Sequence, residues 1–191
     1  MIGLVSESLK QLLETEMGEG HTISIQPPTA EGSGLSRVNL FAYRLSPNSF
    51  LLNRDMVPVP DEPGQAMKPP LGLRVFYLVT AYASSDSALG DAGAHNLLGE
   101  AMRIFHENPI IPQDLLVEEL RGTSLRITLQ MVDPDEVSRV WTALDQPFQL
   151  CAIYEVATLD LVGMGRYPVA PTPARTAVTV GTIERSPEVT R

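Results

Sequence analysis

The stretch from residue 69 to 109, PPLGLRVFYLVTAYASSDSALGDAGAHNLLGEAMRIFHENP, limits the possible folds more than any other part of the chain. Over 71–83, Leu73, Val75, Tyr77, Val79 and Ala81 alternate with Phe76, Leu78 and Tyr82. A strand that is apolar on both faces needs cover on both, so it belongs in the middle of a sheet. A polar turn at Ser84-Ser85-Asp86 follows. From 91 to 107, Leu97, Leu98, Ala101, Met102, Ile104 and Phe105 then recur at helical spacing, up to the stop at Asn108-Pro109. Nothing in this stretch has the arrangement of a catalytic group.

The flanking sequence predicts further elements. Ile2, Val5, Leu9, Leu12, Leu13 and Met17 fall on one face of an amphipathic helix over 2–17, which Gly18 and Gly20 end. Residues 21–26 (HTISIQ) read as a short strand and 37–46 as a second one. Residues 47–70 hold six prolines and read as a long contact or connecting loop. One or two strands are expected over 115–131. The second, SLRITLQM, turns Leu125, Ile127, Leu129 and Met131 inward. Asp133-Pro134-Asp135-Glu136 has the form of a helix start, with a capping carboxylate, proline at the first helical position and Glu at the third. That helix runs to about Leu144 and buries Val137, Val140 and Trp141. Residues 148–162 form the last long strand. The fold class expected is α/β: a mixed, largely antiparallel sheet with helices packed on it.

After Gly163 the composition changes to Pro, Thr and Val without amphipathic period. The expected organisation is a domain over 1–163 and an extended C-terminal arm or tail over 164–191. Within the arm, 177–183 (AVTVGTI) is β-prone and suited to joining another chain's sheet.

Composition narrows the function classes. With 43% hydrophobic and 19% charged residues, the 191-residue chain is globular rather than disordered. A net charge of −9 argues against binding nucleic acid by phosphate neutralisation. No stretch reaches the ~20 apolar residues of a membrane span and no secretory signal is visible, so assembly in the cytoplasm is expected. The single cysteine, Cys151, lies in an apolar alternation and reads as a small buried hydrophobe. His95 and His106 share a helix face but stand about 16 Å apart at ~1.5 Å per residue, too far to share an ion. The glycine pairs lack the strand–loop–helix setting of a phosphate cradle. The carboxylate pairs Asp61-Glu62 and Glu118-Glu119 suit solvated or ion-paired roles. Neither a catalytic residue nor a metal or cofactor site is expected.

In order, VNLFAYRLSPNSFLLNRD, PPLGLRVFYLVTAY, AHNLLGEAMRIFHENPII, SLRITLQMVDPDEVSRVWTAL and PFQLCAIYEVATLDL resemble the tail-terminator, or cap, family of contractile injection systems, which are phage-tail-like particles. The resemblance covers about residues 1–163. Its most specific parts are the strand ending in Thr80-Ala81-Tyr82, the His95…Leu97-Leu98-Gly99 helix ending at Asn108-Pro109, and the Glu136…Trp141…Leu144 helix leading into Pro147-Phe148. It implies a structural, non-enzymatic protein without cofactor. The protein would form a ring, expected to be hexameric, that ends the inner tube and anchors the last sheath ring distal to the baseplate. It would be assembled in the cytoplasm and open to release as part of an extracellular particle. Partners implied are further copies, inner tube and sheath, with no nucleic acid and no membrane insertion. Contact residues expected from exposure and composition are Arg54, Asp55 and Lys68 in the long loop, and Arg166 and Arg175 in the arm. Two other readings stay open at this point: a terminator or connector of a contractile phage tail, and a small-molecule-binding or enzymatic α/β domain.

Overall fold

The computed structural model describes residues 2–29, 34–49, 54–60, 62–84, 89–161 and 166–168. Its elements are α1 (Ile2–Met17), β1 (His21–Ser24), β2 (Ser36–Pro47), β3 (Val57–Pro58), β4 (Gln65–Met67), β5 (Leu71–Tyr82), α2 (Asp91–Glu107), β6 (Arg126–Leu129), α3 (Pro134–Ala143), β7 (Cys151–Leu161) and β8 (Arg166–Pro168). A 3-10 turn, Glu118–Leu120, lies between α2 and β6.

The main sheet has the order β1-β2-β5-β7-β6, with β5 in the centre. β5 pairs antiparallel with β2 and with β7 along nearly its whole length, β6 pairs antiparallel with β7, and β1 pairs parallel with β2. The mixed, largely antiparallel sheet expected from the sequence is therefore present. One face carries Val38, Leu40, Val75, Tyr77, Val79, Tyr154 and Val156 and packs against α1 and α2. The Phe105 and Tyr154 rings meet edge-on there, 4.9 Å apart. Two buried hydroxyls, Ser6 Oγ and Tyr77 Oη, hydrogen-bond at 2.8 Å and tie α1 to the central strand. The opposite face presents Leu78 and Ile153 to Trp141 of α3, with Phe41, Tyr43 and Cys151 around them.

A register shift between Ala42 and Arg44 brings two successive side chains of β2 to α3. Tyr43 Oη donates to Glu136 Oε1 at 3.1 Å and Arg44 donates to the same oxygen at 2.6 Å. The Arg44 guanidinium also stacks 3.9 Å from the centre of the Phe76 ring. Asp133 caps α3, its Oδ1 accepting from the Asp135 N–H at 2.9 Å. Glu136, at the third helical position, links the helix to the sheet.

Three expectations are corrected. Residues 47–70 are not only loop: β3 and β4 form a hairpin, and β8 adds to β4 to make a second sheet, β3-β4-β8. Gly64, at φ +82°, makes the hairpin turn possible. Pro58 is tolerated because β3 is an edge. Strands of two or three residues show no period, and β4 meets β8 across about a hundred positions of sequence, so local pattern could not reveal them. Residues 115–122 form no strand, because Leu116 and Leu120, four apart, are buried on one side of the 3-10 turn. The Val117 N–H donates to Ser8 Oγ of α1. The last strand begins at Cys151 rather than 148, leaving Phe148 and Leu150 outside it.

Leu12 is fully buried between α1 and the sheet. Leu12→Ala is expected to cost about 3 kcal/mol by transfer loss plus a cavity, read by urea denaturation. Burial also pushes Tyr77 up to about 12, against a weaker lowering by Ser6. A raised folded-state value means the stabilisation is complete below about pH 10 and is lost as pH climbs towards 12. Tyr77→Phe is expected to flatten that alkaline loss in urea midpoints measured between pH 9 and pH 11.

Candidate functional site

β6 ends at Leu129, and the chain beyond it leaves the cover of α2. The inward orientation expected for Leu129 and Met131 is overturned: Leu129 is 52% exposed and Met131 fully so. The alternation continues to the strand's end, but the core does not. Phe148 and Leu150, at 66% and 51%, are exposed beside them. Together with Leu98, Met102, Val132, Val137, Cys151 and Ile153, these residues line a groove of about 540 Å³ around the β6–β7 edge, between α2 and α3. A second cleft continues it along α2, past Arg103, His106 and Arg126.

The groove is open and apolar. No charged side chain lines it. Its one thiol, Cys151, has its pKa pushed up by burial, with the Trp141 indole N–H partly opposing the rise. That N–H is buried and makes no full hydrogen bond. Burial likewise raises Tyr43, to about 12, with the Glu136 carboxylate adding to the rise and Arg44 opposing it. A raised pKa leaves less of the thiol as reactive thiolate at neutral pH. Among the described residues no group of His, Cys, Asp or Glu could hold a metal ion, and no helix is long and apolar enough to cross a membrane.

Further apolar residues are exposed towards the other end of the long strands and on the second sheet. Leu71 pairs with Leu161 at that end. Leu45, Met56, Val57, Leu71 and Tyr167 are all exposed. The residues expected to make contacts are divided by the structure. Arg54 and Asp55 are exposed before β3. Lys68 lies 5.3 Å from the centre of the Tyr167 ring, and Arg166 forms an ion pair with Glu62, so these two help hold the second sheet within the chain. Arg175 lies outside the described residues. Sequence reading passed over the groove because its residues, at the ends of β6 and before β7, look like ordinary core positions.

A family model described as the Pvc16 N-terminal domain matches residues 4–174. The chain belongs to this family. No curated protein sequence matches it. Among solved structures, this Pvc16 N-terminal domain resembles the sheath/tube terminator, in its extended state, of an extracellular contractile injection system, PVC. The TM-score is 0.65 at 14% identity, over 97% of this chain and 65% of that one. It also resembles the tube-terminating cap of the anti-feeding prophage, with a TM-score of 0.63 at 15% identity, over 92% of this chain and 60% of that one. The chain thus spans less than two thirds of the length of either.

Because its pKa is raised, Cys151 is expected to react with a disulfide reagent at pH 8 several-fold more slowly than a free thiol of ordinary pKa. Release of the coloured thiolate measures the rate. Equal rates would mean that the burial described for Cys151 is wrong.

Proposed function

We propose that this protein is the structural cap, or tail terminator, of a contractile injection system. It forms a ring, hexameric by resemblance, that ends the inner tube and anchors the last sheath ring at the end distal to the baseplate. The observation that carries this reading is the family match over 4–174, joined to a fold shared with a sheath/tube terminator over nearly the whole chain. Residues 1–163 are the terminator domain and 164–191 the arm, tied to the domain through β8. The protein is assembled in the cytoplasm, is open to release as part of an extracellular particle, and has no enzymatic role.

Surface chemistry supports the ring. An apolar groove at one end of the long strands and different exposed apolar residues towards the other suit a head-to-tail contact, and such contacts close into rings when the rotation allows. Covering a large apolar side chain contributes about 1.5–3 kcal/mol, so the groove alone favours association. The groove is open and, among the described residues, lined without a charged side chain, which supports a contact surface. Arg54 and Asp55, with Lys68, Arg166 and Arg175, are proposed contacts to tube and sheath.

Electron microscopy of particles made with and without this protein tests the reading. Tubes and sheaths of uncontrolled length, or no stable particles, are expected in its absence. Particles of normal length would refute it.

A further inference from the structure

We infer that the groove at the β6 edge receives residues 177–183 of a neighbouring copy as an added strand. The inference rests on the ring reading above and deepens it by naming the contact. On its outer side β6 is only half paired. The Ile127 N–H donates to Pro109 O at 2.8 Å and the Ile111 N–H donates to Leu125 O at 3.1 Å, which closes the first part of the edge. The Gln130 N–H turns inward to Ile153 O at 2.8 Å. By the two-residue alternation of an antiparallel ladder, the peptide groups of Leu129 and Met131 point outward, beyond the 109–111 segment. No described residue pairs with them. A short row of unpaired peptide groups beside an apolar groove is the requirement for strand addition.

The sequence supplies a matching strand. Residues 177–183, AVTVGTI, combine β-branched alternation with no charge and no proline. Arg175 stands just before them, and residues 169–183 contain no acid. At the groove, Asp133 and Asp135 are exposed immediately after Val132. A stretch, 169–183, whose one charged residue is Arg175 is thus complementary to a rim with two carboxylates.

Geometry favours a neighbour's arm over the chain's own. The arm leaves from β8, which pairs with β4 near the Leu71–Leu161 end of the long strands. From Ile153, at the groove, to Leu161 is about 26 Å at ~3.3 Å per residue. Pro168 to Ala177 spans at most about 32 Å fully extended. Returning to its own groove would stretch the arm nearly taut along the whole sheet. In the ring reading above, a head-to-tail neighbour would present its groove near the end from which the arm departs.

The test uses two size-tagged forms of the full chain, one with Met131→Cys and one with Val180→Cys, both in a Cys151→Ala background. Mixed and mildly oxidised, they are expected to cross-link between chains about tenfold more than a control pair of Glu14→Cys with Val180→Cys. Cross-linking no greater than the control overturns the inference. So does a disulfide that forms only within one chain carrying both substitutions, which would assign the groove to the chain's own arm. A second measurement uses sedimentation. Met131→Glu and Val180→Pro are each expected to weaken self-association at least tenfold with unchanged circular dichroism. A loss with Met131→Glu alone would mean that another surface, or another protein, fills the groove. Normal-length particles assembled from Val180→Pro protein would remove this inference and leave the terminator reading standing.

Discussion

The structure depends on the burial of β5 on both faces. Val75, Tyr77 and Val79 are sealed by α1 and α2, while Leu78 is sealed by Trp141 and Ile153. A strand with no solvent face gives up all its peptide hydration, and the long ladders to β2 and β7 replace it. This fixes the order of the sheet. At the end of β6, α2 and α3 leave a groove between them rather than closed cover. There Leu129, Met131, Phe148 and Leu150 stay exposed among the described residues, although the Phe148 ring lies 6.1 Å from that of Trp141.

The second face shows how polar groups extend that cover. A one-residue shift in β2 presents both Tyr43 and Arg44 to Glu136, and the Arg44 guanidinium sits 3.9 Å over the Phe76 ring. Arg74 continues the row, reaching Ser46 Oγ at 3.2 Å and Glu155 at 3.7 Å. Guanidinium planes stacked on an aromatic ring screen it from water without a further helix. At the far end of the long strands, the small sheet formed by β3, β4 and β8 ties the start of the arm to the 47–70 region through Glu62 and Arg166. The arm therefore departs from a fixed point, which gives its reach a definite meaning.

Most of the fold was legible because its long elements carry their own period. α1, α2, β2, β5 and β7 each repeat over ten residues or more, and Asp133-Pro134 marks its helix start without ambiguity. What escaped was short or nonlocal: β3, β4 and β8, the 3-10 turn, and the start of β7. The candidate site escaped for a different reason. Leu129 and Met131 continue the alternation of Leu125 and Ile127, and nothing local records that the core stops between them. The expected contact residues were chosen by charge and exposure. Of these, Lys68 and Arg166 also make contacts within the chain's own second sheet.

The sequence by itself determined the central strand, the helices that seal it and the family resemblance, because two-sided apolar alternation and helical spacing are properties of neighbouring residues. Only the tertiary structure decided which apolar residues are core and which are surface. Burial depends on what packs from elsewhere in the chain, and among the described residues Leu129, Met131, Phe148 and Leu150 stay exposed. That difference turns an ordinary-looking strand end into an open groove with unpaired peptide groups.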